Sequence, residues 1–141
     1  MRTLTAIAAV SALLLAASAQ AAIVHYSAKL NGAAETPPND SKGKGAAQVT
    51  LDTTKKTLSW TVTYSGLTGP ATMAHFHGPA PAGQSAGVAI PLTPPLDSPI
   101  KGSSTITDSQ MADLKAGQWY VNVHTAAHPG GEIRGQLAAG H

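Results

Sequence analysis

Apolar and polar residues alternate along most of this chain, and the alternation has the period of half-buried strands. From Ile23 to Leu30, Val24, Tyr26, Ala28 and Leu30 share one face, while His25, Ser27 and Lys29 share the other. Asn31-Gly32 and Pro37-Pro38-Asn39-Asp40 then predict a loop. Gly45 to Asp52 alternates again through Ala47, Val49 and Leu51, and Thr53 to Lys56 reads as a turn. Thr57 to Ser65 has the clearest pattern, with Leu58, Trp60, Val62 and Tyr64 on one face and only Thr and Ser on the other. The last two runs predict an antiparallel hairpin. Further strands are expected over Ala71–His77, Val88–Leu92, Ile100–Ile106, Gln118–Thr125 and Glu132–Leu137, with a Gly- and Pro-rich loop over Gly78–Gly87. Asp108–Ala116 is the one stretch with helical spacing, with Asp108 as N-cap, Met111 and Leu114 on one face and Gly117 as the stop. Many short strands with closely spaced turns predict an all-β fold, a single antiparallel Greek-key sandwich or barrel with one short helix near 108–116.

The N-terminus departs from this pattern. Met1-Arg2, the apolar run from Leu4 to Ala17 and the small-x-small triplet Ala19-Gln20-Ala21 predict a cleaved signal peptide over 1–21, and so a periplasmic or secreted protein starting near Ala22. The apolar run is shorter than the roughly 20 residues that a membrane-spanning helix needs, and no later segment offers a span. The domain expected over 22–141 carries little net charge, since removing Arg2 takes the +2 of the whole chain to about +1. It has no basic cluster interleaved with aromatics, so nucleic acid is not an expected partner. Cysteine is absent, which excludes disulfides and thiolate metal sites. The Gly-x-Ser-x-Gly spacing of Gly83-Gln84-Ser85-Ala86-Gly87 lies inside the Gly78–Gly87 loop and leads into a predicted strand rather than a helix, so it makes no nucleophile elbow, and no glycine-rich loop joins a strand to a helix.

The chemistry concentrates in histidine. Four of the six histidines fall in two segments, Ala74-His75-Phe76-His77-Gly78-Pro79-Ala80 and Trp119 through Gln136. On a strand, His75 and His77 point to one side and Phe76 to the other. His124 shares its face with Tyr120 and Asn122, opposite Val121 and Val123, and His128 follows in the next turn. Imidazoles without sulfur suit Cu(II), with zinc as the alternative. The expected ligands are therefore His75, His77, His124 and His128. Met73 is on the His75 face, an axial ligand or else packing. Glu132 and Arg134 share a strand face; the plain reading is an ion pair, and the sharper one has Glu132 orienting a ligating histidine. If cleavage fell after Ala22, His25 would be third in the mature chain, where it could bind Cu(II) with the terminal amine. His141 reads as a tail residue. The plain alternative is that the histidines are polar surface residues.

The two segments resemble the CHRD (chordin) domain family. The resemblance runs from about Ile23 to Leu137. It is carried by Ala74-His75-Phe76-His77-Gly78-Pro79-Ala80, by Tyr120-Val121-Asn122-Val123-His124-Thr125, and by Pro129-Gly130-Gly131-Glu132-Ile133-Arg134-Gly135-Gln136. It implies an all-β, immunoglobulin-like or barrel domain. It also implies a role as an extracellular interaction module, or as a small exported protein associated with copper. A fainter similarity is to copper-zinc superoxide dismutase, whose copper strands would match His75, His77 and His124. The bridging histidine, the zinc-loop ligands and both disulfide cysteines of that family are missing here, and Arg134 is only a loose counterpart of its guiding arginine. The expected function is copper sequestration, transfer or tolerance outside the cytoplasm. The alternatives are a metal-free interaction or matrix module and, further off, a minimal dismutase-like redox enzyme. The expected partners are a metal ion and a further protein.

Overall fold

A computed structural model describes residues 10–14 and 22–140. The expected leader over 1–21 falls outside the described residues apart from 10–14, which form neither helix nor strand, and His141 also falls outside. The strands are β1 (Ile23–Asn31), β2 (Lys44–Asp52), β3 (Thr57–Ser65), β4 (Ala71–His77), β5 (Val88–Pro91), β6 (Ile100–Thr105), β7 (Tyr120–Thr125), β8 (Ile133–Gln136) and β9 (Ala138–Ala139), with a helix α1 (Asp108–Lys115) between β6 and β7. They form one antiparallel sheet in the order β5-β4-β7-β8-β1-β2-β3-β6, with the short β9 pairing beside β1. The sheet curls into a nearly closed barrel, as the alternating pattern predicts. β1, β2 and β3 form a meander, and β2 and β3 pair from Lys44↔Ser65 to Asp52↔Thr57 across the predicted turn. β6 returns to β3, while β4, β7 and β8 build the opposite wall.

The interior is filled by the faces that alternation marks. Leu58, Trp60 and Val62 from β3 meet Ala47, Val49 and Leu51 from β2, and Tyr26, Ala28 and Leu30 from β1. Phe76 packs edge-on to Trp60 at 5.3 Å between ring centres and lies 5.9 Å from Trp119. The residue between the two strand histidines is therefore the anchor of β4 in the core. Burying an aromatic of this size contributes a few kcal/mol, and it holds the flanking imidazoles in register.

Two local expectations change. The N-cap of α1 is Thr107, not Asp108: Thr107 Oγ1 accepts from the Gln110 N–H, and the Gln110 side chain accepts from the Thr107 N–H. This reciprocal pair satisfies two otherwise orphaned donors, which Asp108 one residue later would not do. β7 is also buried on both faces, where a strand with a single buried face was expected. Its outer face is covered by the loop over 32–43 and the loop over 78–87. Glu35 from the first loop reaches Asn122, and the Ala86 N–H of the second donates to the Tyr120 hydroxyl (3.0 Å). Among the described residues, no helix is long and apolar enough to cross a membrane.

Candidate metal centre

Pairing of β4 with β7 sets His75 opposite Asn122, His77 opposite Tyr120 and Met73 opposite His124. All six side chains belong to the face away from Phe76, Val121 and Val123. His75, His77 and His124 each offer a ring nitrogen, and these atoms lie within 4.8 Å of one another. His75 Nδ1 is 3.1 Å from His124 Nε2. Asn122 Oδ1 sits between the other two rings, 2.9 Å from His77 Nε2 and 3.0 Å from His124 Nε2.

The far side of each of these rings is held by the backbone. His77 Nδ1 is 3.0 Å from the Ala86 carbonyl, and His124 Nδ1 is 2.8 Å from the Pro129 carbonyl. A carbonyl only accepts, so both Nδ1 atoms carry the hydrogen. In its neutral form each ring then presents a bare Nε2 lone pair to the shared space, as a metal ligand must. Burial, with the nearby His124 and His77, pushes the His75 pKa below its ordinary value. Burial also lowers that of His124, helped by His77 and opposed by the Pro129 carbonyl. Both effects favour the neutral, ligating form.

Asn122 completes the arrangement. Its Nδ2 is turned towards Glu35, a residue only 5 % exposed whose Oε1 has no hydrogen-bond partner. Burial raises the Glu35 pKa, against the Thr36 N–H, the Asn122 amide, Arg134 and His128. Gly131, at φ +125°, makes this meeting possible: a Cβ there would lie 2.3 Å from Glu35 Oε1 and 2.7 Å from Asn122 Nδ2. Tyr120 stacks on His77 with ring centres 4.7 Å apart and planes 4° from parallel, and the Arg134 guanidinium sits 3.5 Å over the Tyr120 ring.

The remaining sequence candidates stand apart from the triad. His128 Nε2 is 4.0 Å from Glu132 Oε1 in the turn. The Glu132 carboxylate accepts from the hydroxyls of Thr68, Thr125 and Ser41 and from the Thr68 N–H, and orients none of the three triad rings. Burial would raise its pKa, but these donors outweigh burial and lower it. Arg134, on β8, instead donates to Thr36 Oγ1 and to the loop carbonyls of Pro81 and Gln84, while Glu132 precedes the strand, so each charge has its own partners. Met73 is 46 % exposed beside His124 and packs into no core. His25 lies on β1 with Nδ1 3.2 Å from Thr50 Oγ1. The sequence reading missed Asn122 and Glu35. The Asn122 position was visible, two residues before His124, but an amide in a strand has no spacing that marks it as part of a site.

Neither the curated proteins nor the solved structures contain a significant match to this chain. The family model of the CHRD domain matches residues 26–137, which takes in the barrel from β1 to the end of β8 and all three triad histidines. With most of its length matched, the chain belongs to the CHRD domain family.

Proposed function

We propose that this CHRD domain binds Cu(II) through His75, His77 and His124, and that it works outside the cytoplasm in copper sequestration, transfer or tolerance. One observation carries this reading. With Nδ1 of each ring held by a carbonyl, His77 and His124 in their neutral forms direct bare Nε2 lone pairs at the same acceptor, Asn122 Oδ1. With Glu35 ionised, turning the amide over would merely set its oxygen against the carboxylate instead. Protonating both rings would place two cations side by side in a buried site. A cation held between the ring nitrogens removes the conflict in one step. The all-imidazole nitrogen set, without sulfur, suits Cu(II), and zinc is the competing occupant. Bound copper would supply redox capacity or Lewis acidity; the protein supplies the fixed tautomers and the rigid β4–β7 frame.

The test is a Cu(II) titration of the tag-free protein starting at Ala22, followed by EPR. One equivalent with a nitrogen-rich spectrum is expected. The His75→Ala/His77→Ala double variant should lose stoichiometric binding, and His128→Ala should keep it. Saturable binding that survives in the double variant would sink the assignment. Failure of both copper and zinc to bind the unaltered protein would leave the metal-free interaction module as the reading.

A further inference from the structure

The place of Asn122 is that of a ligand. We infer that Asn122 Oδ1 is a fourth donor to the metal, making a three-nitrogen, one-oxygen site, and that Glu35 fixes which end of the amide faces the ion. This deepens the triad reading and rests on it. Bonds of about 2 Å place neighbouring donors of a tetrahedral ion roughly 3.3 Å apart. Asn122 Oδ1 lies 2.9 and 3.0 Å from two ring nitrogens, and His75 Nδ1 lies 3.1 Å from His124 Nε2, so these contacts are already near the edges of such a polyhedron. The amide is 3 % exposed and held on β7, two residues from His124 and opposite His75. Its orientation is set from outside: Glu35 Oε1, buried and without another partner, lies against the amide beside Gly131, and as a carboxylate it favours the Nδ2 end over the oxygen. Gly131 leaves room for that contact, since any Cβ would wedge between the two groups. A neutral oxygen donor is harder than a thioether. It shifts the preference of the site towards Cu(II) or zinc and away from Cu(I).

The test uses Asn122→Ala, Asn122→Asp, Glu35→Ala and the Asn122→Ala/Glu35→Ala double variant, with folding followed by circular dichroism and thermal melting. Each is titrated with Cu(II) for EPR, and with zinc in competition with a chromogenic chelator. Asn122→Ala should still bind one equivalent, with affinity lower by about tenfold or more and a changed copper hyperfine pattern. Asn122→Asp keeps an oxygen in place and should restore most of the affinity, with a spectrum of its own. Glu35→Ala should weaken binding when Asn122 is present and have no effect in the Asn122→Ala background, a coupling that a merely structural role would not give. If His77→Ala loses binding while Asn122→Ala keeps an unchanged spectrum and affinity, the oxygen is no ligand and this inference fails alone. Should Asn122→Ala not fold, an unchanged spectrum in folded Asn122→Asp overturns it equally. If the unaltered protein binds neither metal, the triad reading falls and takes this one with it.

Discussion

At the scale of single residues, the positions that could be read from the sequence are those whose geometry follows from strand period. His75 and His77 must share a face, and Phe76 must oppose them, whatever the rest of the chain does. His128 shows where that logic ends: a turn rather than a strand follows Thr125, and it carries the ring towards Glu132. Glu35 had no sequence signal at all, because it reaches Asn122 from a loop far away along the chain. Glu132 has the most consequential charge outside the triad. It is fully buried, and its carboxylate accepts from three hydroxyls and one N–H. Glu132→Ala would strand all of these donors, so a loss of about 3 kcal/mol in urea unfolding is expected, large among single substitutions. A loss below about 1 kcal/mol would mean that water replaces the carboxylate without strain.

At the scale of elements, eight of the nine strands were legible, the longest from their alternation and β5 from a short apolar run, while β9 was not. Two alanines carry no period, and their pairing with Tyr26 and Ser27 is decided by the neighbouring strand. The helix was legible in extent, but its start is set by the Thr107-Asp108-Ser109-Gln110 capping box rather than by the acidic residue inside it. Thr107→Ala should therefore cost about 1 kcal/mol, and Asp108→Ala much less. The Asp108 ion pair with Lys56 is solvent-exposed, and such pairs contribute little. Equal losses for the two variants by thermal melting would contradict the assigned cap. The covered outer face of β7 could not be read from the sequence, because Tyr120, Asn122 and His124 look like a polar surface until two distant loops are laid over them.

At the scale of the whole molecule, the buried histidines tie stability to pH. The pKa values of His75 and His124 lie below 6.5 in the folded metal-free protein. As pH falls through 6.5, the unfolded chain takes up protons that the folded chain refuses, so stability is lost until the lowered folded values are reached. Glu35 acts in the opposite sense, since its raised pKa makes the folded form take up a proton before the unfolded chain does as pH falls. Glu132, with a lowered pKa, gives up its contribution only as pH falls further, through its folded value. The urea midpoint of the metal-free protein should thus begin to fall as pH is lowered from 7 through 6.5, and the slope in that range should flatten in His75→Ala/His124→Ala. A midpoint independent of pH there would show that these rings are not kept neutral by burial. The register of β4 against β7 has a further, kinetic consequence. His75 and His124 are 49 positions apart in sequence and meet only across that strand pair, so the histidine triad does not exist until the second half of the chain has closed. Such a long-range contact forms late, and a ligand that needs it has nothing to grip in the transition state if that state forms before closure. Copper should then leave the refolding rate nearly unchanged and slow unfolding instead, acting as a latch on the finished barrel rather than a template for it. Stopped-flow chevrons with and without the ion would separate the two roles, and a faster folding limb would point to the template.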